Sequence, residues 1–258
     1  MDTVKDLVVL EYGINKFMKL NIITPIYYGG DHRIDYFKRY IHHINKIYNL
    51  QNCNFIFLIE PDSEKMLDLI PDHWNKTFLI NYYRFGPILN HYIGFKYCFD
   101  TLKSEFSILL EDDIIVSPDI YNLIQYCLST NILDENVLCL LNKHRQFNPS
   151  HKLYQKNSKE LLIQINDVKY LSGWGFGISK KFWENVLKNI WSMTVSFDSN
   201  LDLNFKKCGV VTPVVSRANQ IGEIGFNYTK SQWDSHSFAD IQIENNYNDN
   251  LYRIEKVD

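Results

Sequence analysis

Short runs of consecutive apolar residues alternate with stretches of helical spacing through the first half of the chain. The runs lie at residues 20–25, 55–59 and 106–110. Strands that are apolar along their whole length are typical of a parallel sheet whose two faces are both covered by helices. Apolar side chains at helical spacing over residues 34–47 predict one of the covering helices. The chain therefore predicts an α/β fold with a mostly parallel central sheet flanked by helices.

The remaining elements follow from the same signals. Asp31 is available as the N-cap of the first helix, and Gly86-Pro87 marks the start of a helix over 87–102. Residues 1–17 are expected to form an extension or a short helix outside the core, and 218–258 a surface-wrapping tail or a mobile flap. No repeat or linker divides residues 18–258, which predicts one domain. Further strands are predicted at 77–82, 137–141, 161–165, 168–171 and 210–215, a polar helix-like stretch at 63–69, and helices at 118–128 and 180–188.

Composition excludes several classes of function. The 258-residue chain has a net charge of −3, so it has no broad basic surface for binding nucleic acid. The five cysteines are widely spaced in apolar surroundings, which indicates buried thiols and no zinc site. Charged residues interrupt the apolar stretch near the N-terminus, and we therefore expect neither a signal peptide nor a membrane anchor. The expected location is cytoplasmic or otherwise soluble.

Three acidic residues, Glu111, Asp112 and Asp113, directly follow the apolar run at 106–110. Buried carboxylates are unfavourable unless they are paired, hydrogen-bonded or bound to a cation. A divalent ion with oxygen ligands meets that need, and substrate phosphates and water often complete its coordination. The alternative is that the acidic turn caps the helix near Pro118 or is solvated.

The residues on both sides of this triplet resemble those of a known protein family. Residues 108–119, from Ile108 to the Pro118-Asp119 helix start, resemble the metal-binding segment of the N-acetylglucosaminyltransferase I family and its protein O-mannose relatives, which have the GT-A glycosyltransferase fold. The order and approximate spacing of further motifs agree over about residues 20–245. These motifs are Leu89-Asn90-His91-Tyr92, Gly173-Trp174-Gly175-Phe176, Trp183, Trp191, Phe197-Asp198, Val215-Ser216-Arg217, Gly222 and Gly225.

The resemblance implies specific roles in catalysis. Asp113 would bind Mn²⁺ (or Mg²⁺), and Glu111 and Asp112 would contact the sugar nucleotide. Asp198 would be the base that takes the proton of the acceptor hydroxyl, as inverting transfer requires. Asp202 lies close enough in sequence to be its rival, and an N-cap role is the structural alternative for Asp198. Residues 18–118 would form the nucleotide-binding half, and 119–258 the acceptor half with a C-terminal loop.

Other positions are implied to line the substrate site. The Gly173-Trp174-Gly175 loop corresponds to a loop beside the donor sugar and the acceptor, and a tight turn before the next helix is compatible with that role. Asp31 and Arg33 match an Asp-Arg pair that contacts the nucleotide. His91 is expected either to pack in the core or to hydrogen-bond the nucleotide. Glu60 or Asp62 is expected at the uracil edge, and Asn227 or Tyr228 at the phosphates.

The sequence thus predicts a metal-dependent inverting glycosyltransferase that uses a UDP-sugar, with N-acetylglucosamine as the best guess, and a glycan or glycoprotein acceptor. Two alternatives remain open. One is a catalytically inactive protein of the same fold that binds glycans or a partner. The other is a sugar-phosphate nucleotidyltransferase, which would typically carry a Gly-rich, basic loop after the first strand; Tyr27 to Arg33 is a poor version of such a loop.

Overall fold

The computed structural model describes residues 7–12, 20–142, 161–165, 173–194, 209–223 and 252–257. These ranges contain twelve strands and four principal helical segments. The helices are α1 (Asp31–Ile44), α2 (Gly86–Lys96, continued by a π-helical turn, Tyr97–Thr101), α3 (Ile120–Ser129) and α4, which runs from Lys180–Phe182 through a π-helical turn, Trp183–Leu187, to Lys188–Ile190. The strands are β1 (Leu7–Tyr12), β2 (Leu20–Ile26), β3 (Cys53–Ile59), β4 (Lys76–Asn81), β5 (Phe106–Leu109), β6 (Ile114–Val116), β7 (Asn136–Cys139), β8 (Leu161–Ile165), β9 (Phe176–Ser179), β10 (Gly209–Pro213), β11 (Ala218–Gln220) and β12 (Arg253–Val257).

Ten of these strands form one sheet in the order β1-β4-β3-β2-β5-β9-β7-β10-β8-β12. The four neighbours β4, β3, β2 and β5 are all parallel to one another. Strand β1 closes one side antiparallel to β4, and β9 lies antiparallel between β5 and β7. Strands β6 and β11 form a separate antiparallel pair. The predicted α/β fold with a mostly parallel central sheet is confirmed.

Both faces of the sheet are covered, which explains why its central strands are apolar along their whole length. In β3, Phe55 and Phe57 point into the cluster that contains the buried faces of α1 and α3. Their neighbours Ile56 and Leu58 point into the opposite cluster, with Phe95 of α2 and the buried aromatic residues of α4. Alternate side chains of one strand thus enter two separate cores, as the pleat of a strand requires.

The order of the parallel strands reverses beside β2. The chain passes from β2 to β3 and β4 on one side and then returns to β5 on the other side of β2. The residues that follow β2 and β5 meet at the carboxyl edge of the sheet, where the Tyr27 amide donates to Asp112 Oδ2 at 3.3 Å. In open α/β sheets, ligands bind outside the carboxyl ends of strands where the strand order reverses in this way.

Several expectations about individual elements are corrected. Leu7–Tyr12 is a strand of the main sheet and not an extension or helix, because its backbone pairs with β4 along the whole length of the strand. Gly30 is the N-cap of α1, and Asp31 is the first helical residue. Ala218–Gln220 and Arg253–Val257 form strands within the predicted tail. The strand predicted at 168–171 lies outside the described residues.

No helix in the described ranges has both the length and the apolar content needed to span a bilayer.

Candidate functional site

The acidic triplet lies at the carboxyl edge of the sheet, directly after β5 and beside the end of β2. The Leu110 amide donates to the Ile23 carbonyl at 2.9 Å, which extends the parallel pairing by one residue. The Ile114 amide then donates to the Glu111 carbonyl at 3.0 Å and closes a turn. This turn buries Asp112 and Asp113, which are 3% and 5% exposed, whereas Glu111 is half-buried.

Arg33 supplies a positive charge to the two buried carboxylates. It lies in the first turn of α1, and its Nη1 donates to Asp113 Oδ2 at 2.8 Å. Its Nη2 donates to Asp112 Oδ1, whose other oxygen accepts from the Tyr27 amide at 3.3 Å. Arg33 itself is 9% exposed. The sequence linked Arg33 to the nucleotide, and the ion pair with Asp112 and Asp113 was not predicted.

The charges at this turn are incompletely balanced. Burial raises the pKa of Asp112 to about 7, and although Arg33 lowers it, Asp113 and Glu111 raise it further. Burial also raises the pKa of Asp113, with Arg33 opposing and Glu111 adding to the rise. Burial disfavours the charge on Arg33, but Asp112 and Asp113 outweigh it, and the pKa of Arg33 is raised. One guanidinium therefore faces three carboxyl groups, and additional positive charge is favoured there.

Strand β11 and the residues after it hold Asp113 from the opposite side. The Ile221 amide donates to the Asp113 carbonyl at 2.9 Å. Gly222 lies against the carboxylate, and a Cβ at position 222 would overlap Asp113 Oδ2. Asp113 Oδ1 is buried and has no hydrogen-bond partner among the residues that the structure describes.

The residues at this turn fit a divalent cation that shares its coordination with a ligand. Asp113 Oδ1 is an unpartnered carboxylate oxygen, the type of donor that Mn²⁺ and Mg²⁺ prefer. Within the described part of the chain, no three His, Cys, Asp or Glu side chains converge on one metal position. Asp113 is therefore the candidate protein ligand, and phosphate oxygens and water would have to complete the coordination.

The Gly173-Trp174-Gly175 loop reaches the same edge of the sheet. Phe176, the first residue of β9, pairs with Leu109 at the end of β5, so the residues before β9 and after β5 leave the sheet together. Gly175 has φ 72°, and a Cβ there would lie 3.0 Å from the Cβ atoms of both Ala218 and Leu140. Glycine is thus required at position 175. Trp174 is partly buried, with its indole packed on the core.

Glu60 bonds the first turn of α2, and His91 is a residue of the same helix. The Glu60 carboxylate accepts from the amides of Phe85 at 3.1 Å and Gly86 at 2.9 Å, and from Asn90 Nδ2. It therefore satisfies the first turn of α2, and its contact with uracil stays a prediction. His91 is fully buried, and its Nε2 lies 3.4 Å from Glu111 Oε1. The burial of His91 agrees with core packing, and its hydrogen bond to the nucleotide stays a prediction.

Aromatic side chains with nearby cations follow the parallel strands at this edge. Lys65 Nζ lies 2.9 Å from the ring centroid of Tyr28, and the Arg84 guanidinium 4.8 Å from that of Tyr27. Tyr28 also donates its hydroxyl to the exposed carboxylate of Asp31. Tyr82 and Tyr83 are 60% and 66% exposed. Sequence reasoning missed these residues, although a pair of tyrosines at the end of each of two predicted strands was a usable signal.

Four candidate site residues named from the sequence lie outside the described residues. They are Asp198, Asp202, Asn227 and Tyr228, so the proposed base and the proposed phosphate contacts stay predictions.

Comparison with known proteins shows the fold. No family model and no curated protein sequence matches the chain. The structure is similar to S. aureus TarS 1–349 with a TM-score of 0.51 at 10% identity, over 80% of this chain and 61% of TarS 1–349. For the same protein in complex with UDP-GlcNAc, the TM-score is 0.50 at 10% identity, over 78% and 58% of the two chains. The mannosyltransferase PcManGT from Pyrobaculum calidifontis, in complex with GDP-Man and Mn²⁺, gives 0.48 at 10% identity, over 76% and 57%. The α/β fold is that of the GT-A-type glycosyltransferases.

Proposed function

We propose that the protein is an inverting glycosyltransferase that moves a sugar from a UDP-sugar to a hydroxyl of a glycan or of a protein-linked sugar. One observation carries the proposal. Two buried carboxylates, Asp112 and Asp113, meet a buried cation at the carboxyl edge of the sheet, where the order of the parallel strands reverses. Ligands bind at such positions in open α/β sheets, and buried acids there are functional-site candidates. The proposed sugar is N-acetylglucosamine, and the resemblance to N-acetylglucosaminyltransferases supports this choice.

The acidic turn would bind the diphosphate end of the donor. Asp113 would hold Mn²⁺ or Mg²⁺ through its unpartnered oxygen, and Glu111 and Asp112 would contact the sugar nucleotide. When bound, the metal would neutralise the diphosphate as it departs. Trp174 lies at the same edge of the sheet and would pack against the sugar rings of donor or acceptor.

The transfer step itself needs a base. In this proposal Asp198 takes the proton of the acceptor hydroxyl as the oxygen attacks the anomeric carbon. The bond from that carbon to the diphosphate oxygen breaks on the opposite side, which inverts the configuration. Replacing Asp198 with Asn is expected to abolish transfer while leaving donor binding intact. A product with retained configuration, seen by NMR of the anomeric proton, would exclude this role for Asp198.

Calorimetric titration with a panel of nucleotide sugars, each with and without Mn²⁺, tests the donor half of the proposal. We expect metal-dependent binding of a UDP-sugar, and we expect Asp113→Asn to remove it while the protein stays folded. Asp35→Asn is the matched control, because Asp35 is an exposed carboxylate on α1. Absence of binding to every nucleotide sugar would favour the alternative of an inactive protein that binds glycans or a partner.

A further inference from the structure

We propose that Arg33 is a built-in counter-cation that holds the acidic turn closed in the nucleotide-free protein and competes with the divalent cation for Asp113. The inference rests on the proposed function, because it concerns the cation site assigned to Asp113. Arg33 would thereby couple the binding of the metal to the binding of the nucleotide. Free metal should bind more weakly than it would without Arg33, and the metal and the nucleotide diphosphate should bind together.

The geometry places Arg33 in direct conflict with a metal ion. Its two terminal nitrogens each bond a different carboxylate, with Nη1 at 2.8 Å from Asp113 Oδ2. The same carboxylate carries the unpartnered oxygen Oδ1. A metal ion on Oδ1 would therefore lie within a few ångströms of the guanidinium, in a site where burial weakens the screening of charge. Two cations on one buried carboxylate repel each other, so each is expected to lower the affinity of the other.

The hydrogen bonds of Arg33 show how its guanidinium could leave Asp112 and Asp113. Its Nε has no hydrogen-bond partner among the residues that the structure describes, and its terminal nitrogens bond the two aspartates. A divalent ion that occupies Asp113 removes part of what holds the guanidinium. The diphosphate of a donor then offers Arg33 a new anion, since guanidinium groups bind phosphate oxygens well. Metal and nucleotide would in this way each improve the binding of the other, as linkage requires.

The test measures Mn²⁺ binding alone, without nucleotide, by calorimetry or by the electron paramagnetic resonance signal of free Mn²⁺. Arg33→Gln is expected to bind Mn²⁺ about tenfold more tightly than the wild-type protein, because apparent affinity falls with the fraction of protein in the competent state. Arg39→Gln removes the same charge from an exposed position of the same helix, and its Mn²⁺ affinity should match the wild type. Equal or weaker Mn²⁺ binding by Arg33→Gln, or an equal gain in Arg39→Gln, would overturn the inference.

A second measurement covers the case in which Arg33→Gln does not fold without metal. Refolding of that variant from denaturant is then compared in buffers with and without millimolar Mn²⁺, since the metal should replace the lost guanidinium charge. Recovery that depends on Mn²⁺ supports the inference, and equal failure in both buffers counts against it. Neither readout uses a nucleotide. A wild-type protein that binds no nucleotide sugar would therefore refute the proposed function while leaving the competition between Arg33 and Mn²⁺ separately measurable.

Discussion

The Asp113 carboxylate occupies the space that a side chain at position 222 would fill. Gly222 lies against Asp113 Oδ2, and the Ile221 amide donates to the Asp113 carbonyl at 2.9 Å. The residues after β11 thus fix both the main chain and the side chain of the candidate metal ligand. The Asp113 carboxylate can take this position only because residue 222 has no side chain.

Gly222→Ala is expected to displace the Asp113 carboxylate and weaken metal-dependent nucleotide binding at least tenfold. The added methyl group should also cost about 1–3 kcal/mol of stability, as overpacking at a closely packed position does. Calorimetry and denaturant unfolding measure the two effects. In an Asp113→Asn background, the same glycine substitution should leave the remaining metal-independent nucleotide binding unchanged. An additional loss there would mean that Gly222 acts by another route.

A buried ion pair stabilises the segment that follows the acidic turn. Asp119 and Arg217 are both fully buried, with Arg217 Nε at 3.0 and 2.9 Å from the two Asp119 oxygens. The Tyr252 hydroxyl also donates to Asp119, at 2.9 Å. Removing one partner of such a pair leaves a buried charge uncompensated. We therefore expect Asp119→Asn to lower the free energy of unfolding by about 3–5 kcal/mol, measured by denaturant unfolding.

The contact between Lys188 and Asp100 is the matched comparison for that ion pair. Lys188 Nζ lies 2.9 Å from Asp100 Oδ2, but both side chains are partly exposed, at 39% and 29%. Water screens such a pair, and Lys188→Met should cost at most about 1 kcal/mol. Equal losses in Asp119→Asn and Lys188→Met would show that burial does not decide the contribution of these ion pairs.

The central sheet was predictable from the sequence because its strands are buried on both faces. The runs at residues 55–59 and 106–110 are apolar without interruption, and such a pattern fits few other arrangements. Edge and short strands carry a weaker signal. Leu7–Tyr12 includes Glu11, and Ala218–Gln220 is three residues long, so their pairing partners decide their conformation.

The candidate site was predictable only where its residues are adjacent in sequence. Glu111, Asp112 and Asp113 follow one strand directly, which located the acidic turn. The hydrogen bond from Arg33 to Asp113 joins residues 80 positions apart, and no local sequence pattern predicts it. The packing of Gly222 on Asp113 is equally non-local. A glycine in the sequence does not indicate which side chain will pack against it.

The pH dependence of stability tests the electrostatics of the acidic turn. Burial raises the pKa of Asp112 from 3.8 to about 7 in the folded protein. Between these values the folded state binds a proton that the unfolded chain releases, so the contribution of Asp112 to stability falls as pH rises. In metal-free buffer, we expect the free energy of unfolding of the wild type, minus that of Asp112→Asn, to decrease between about pH 4 and pH 7. A difference that is constant or increases over this window would contradict the predicted direction.

The capping of α2 by Glu60 gives a prediction that separates a structural role from a role in base recognition. Glu60→Ala removes the acceptor for the Phe85 and Gly86 amides and for Asn90 Nδ2. Leaving these buried donors unpaired should lower the free energy of unfolding by about 1–3 kcal/mol. Denaturant unfolding measures this loss, and the ratio of UDP to GDP affinity tests the predicted contact with uracil. A changed ratio would support that contact, because capping alone offers no means of distinguishing one base from the other. An unchanged stability would show that water replaces the carboxylate at the first turn of α2.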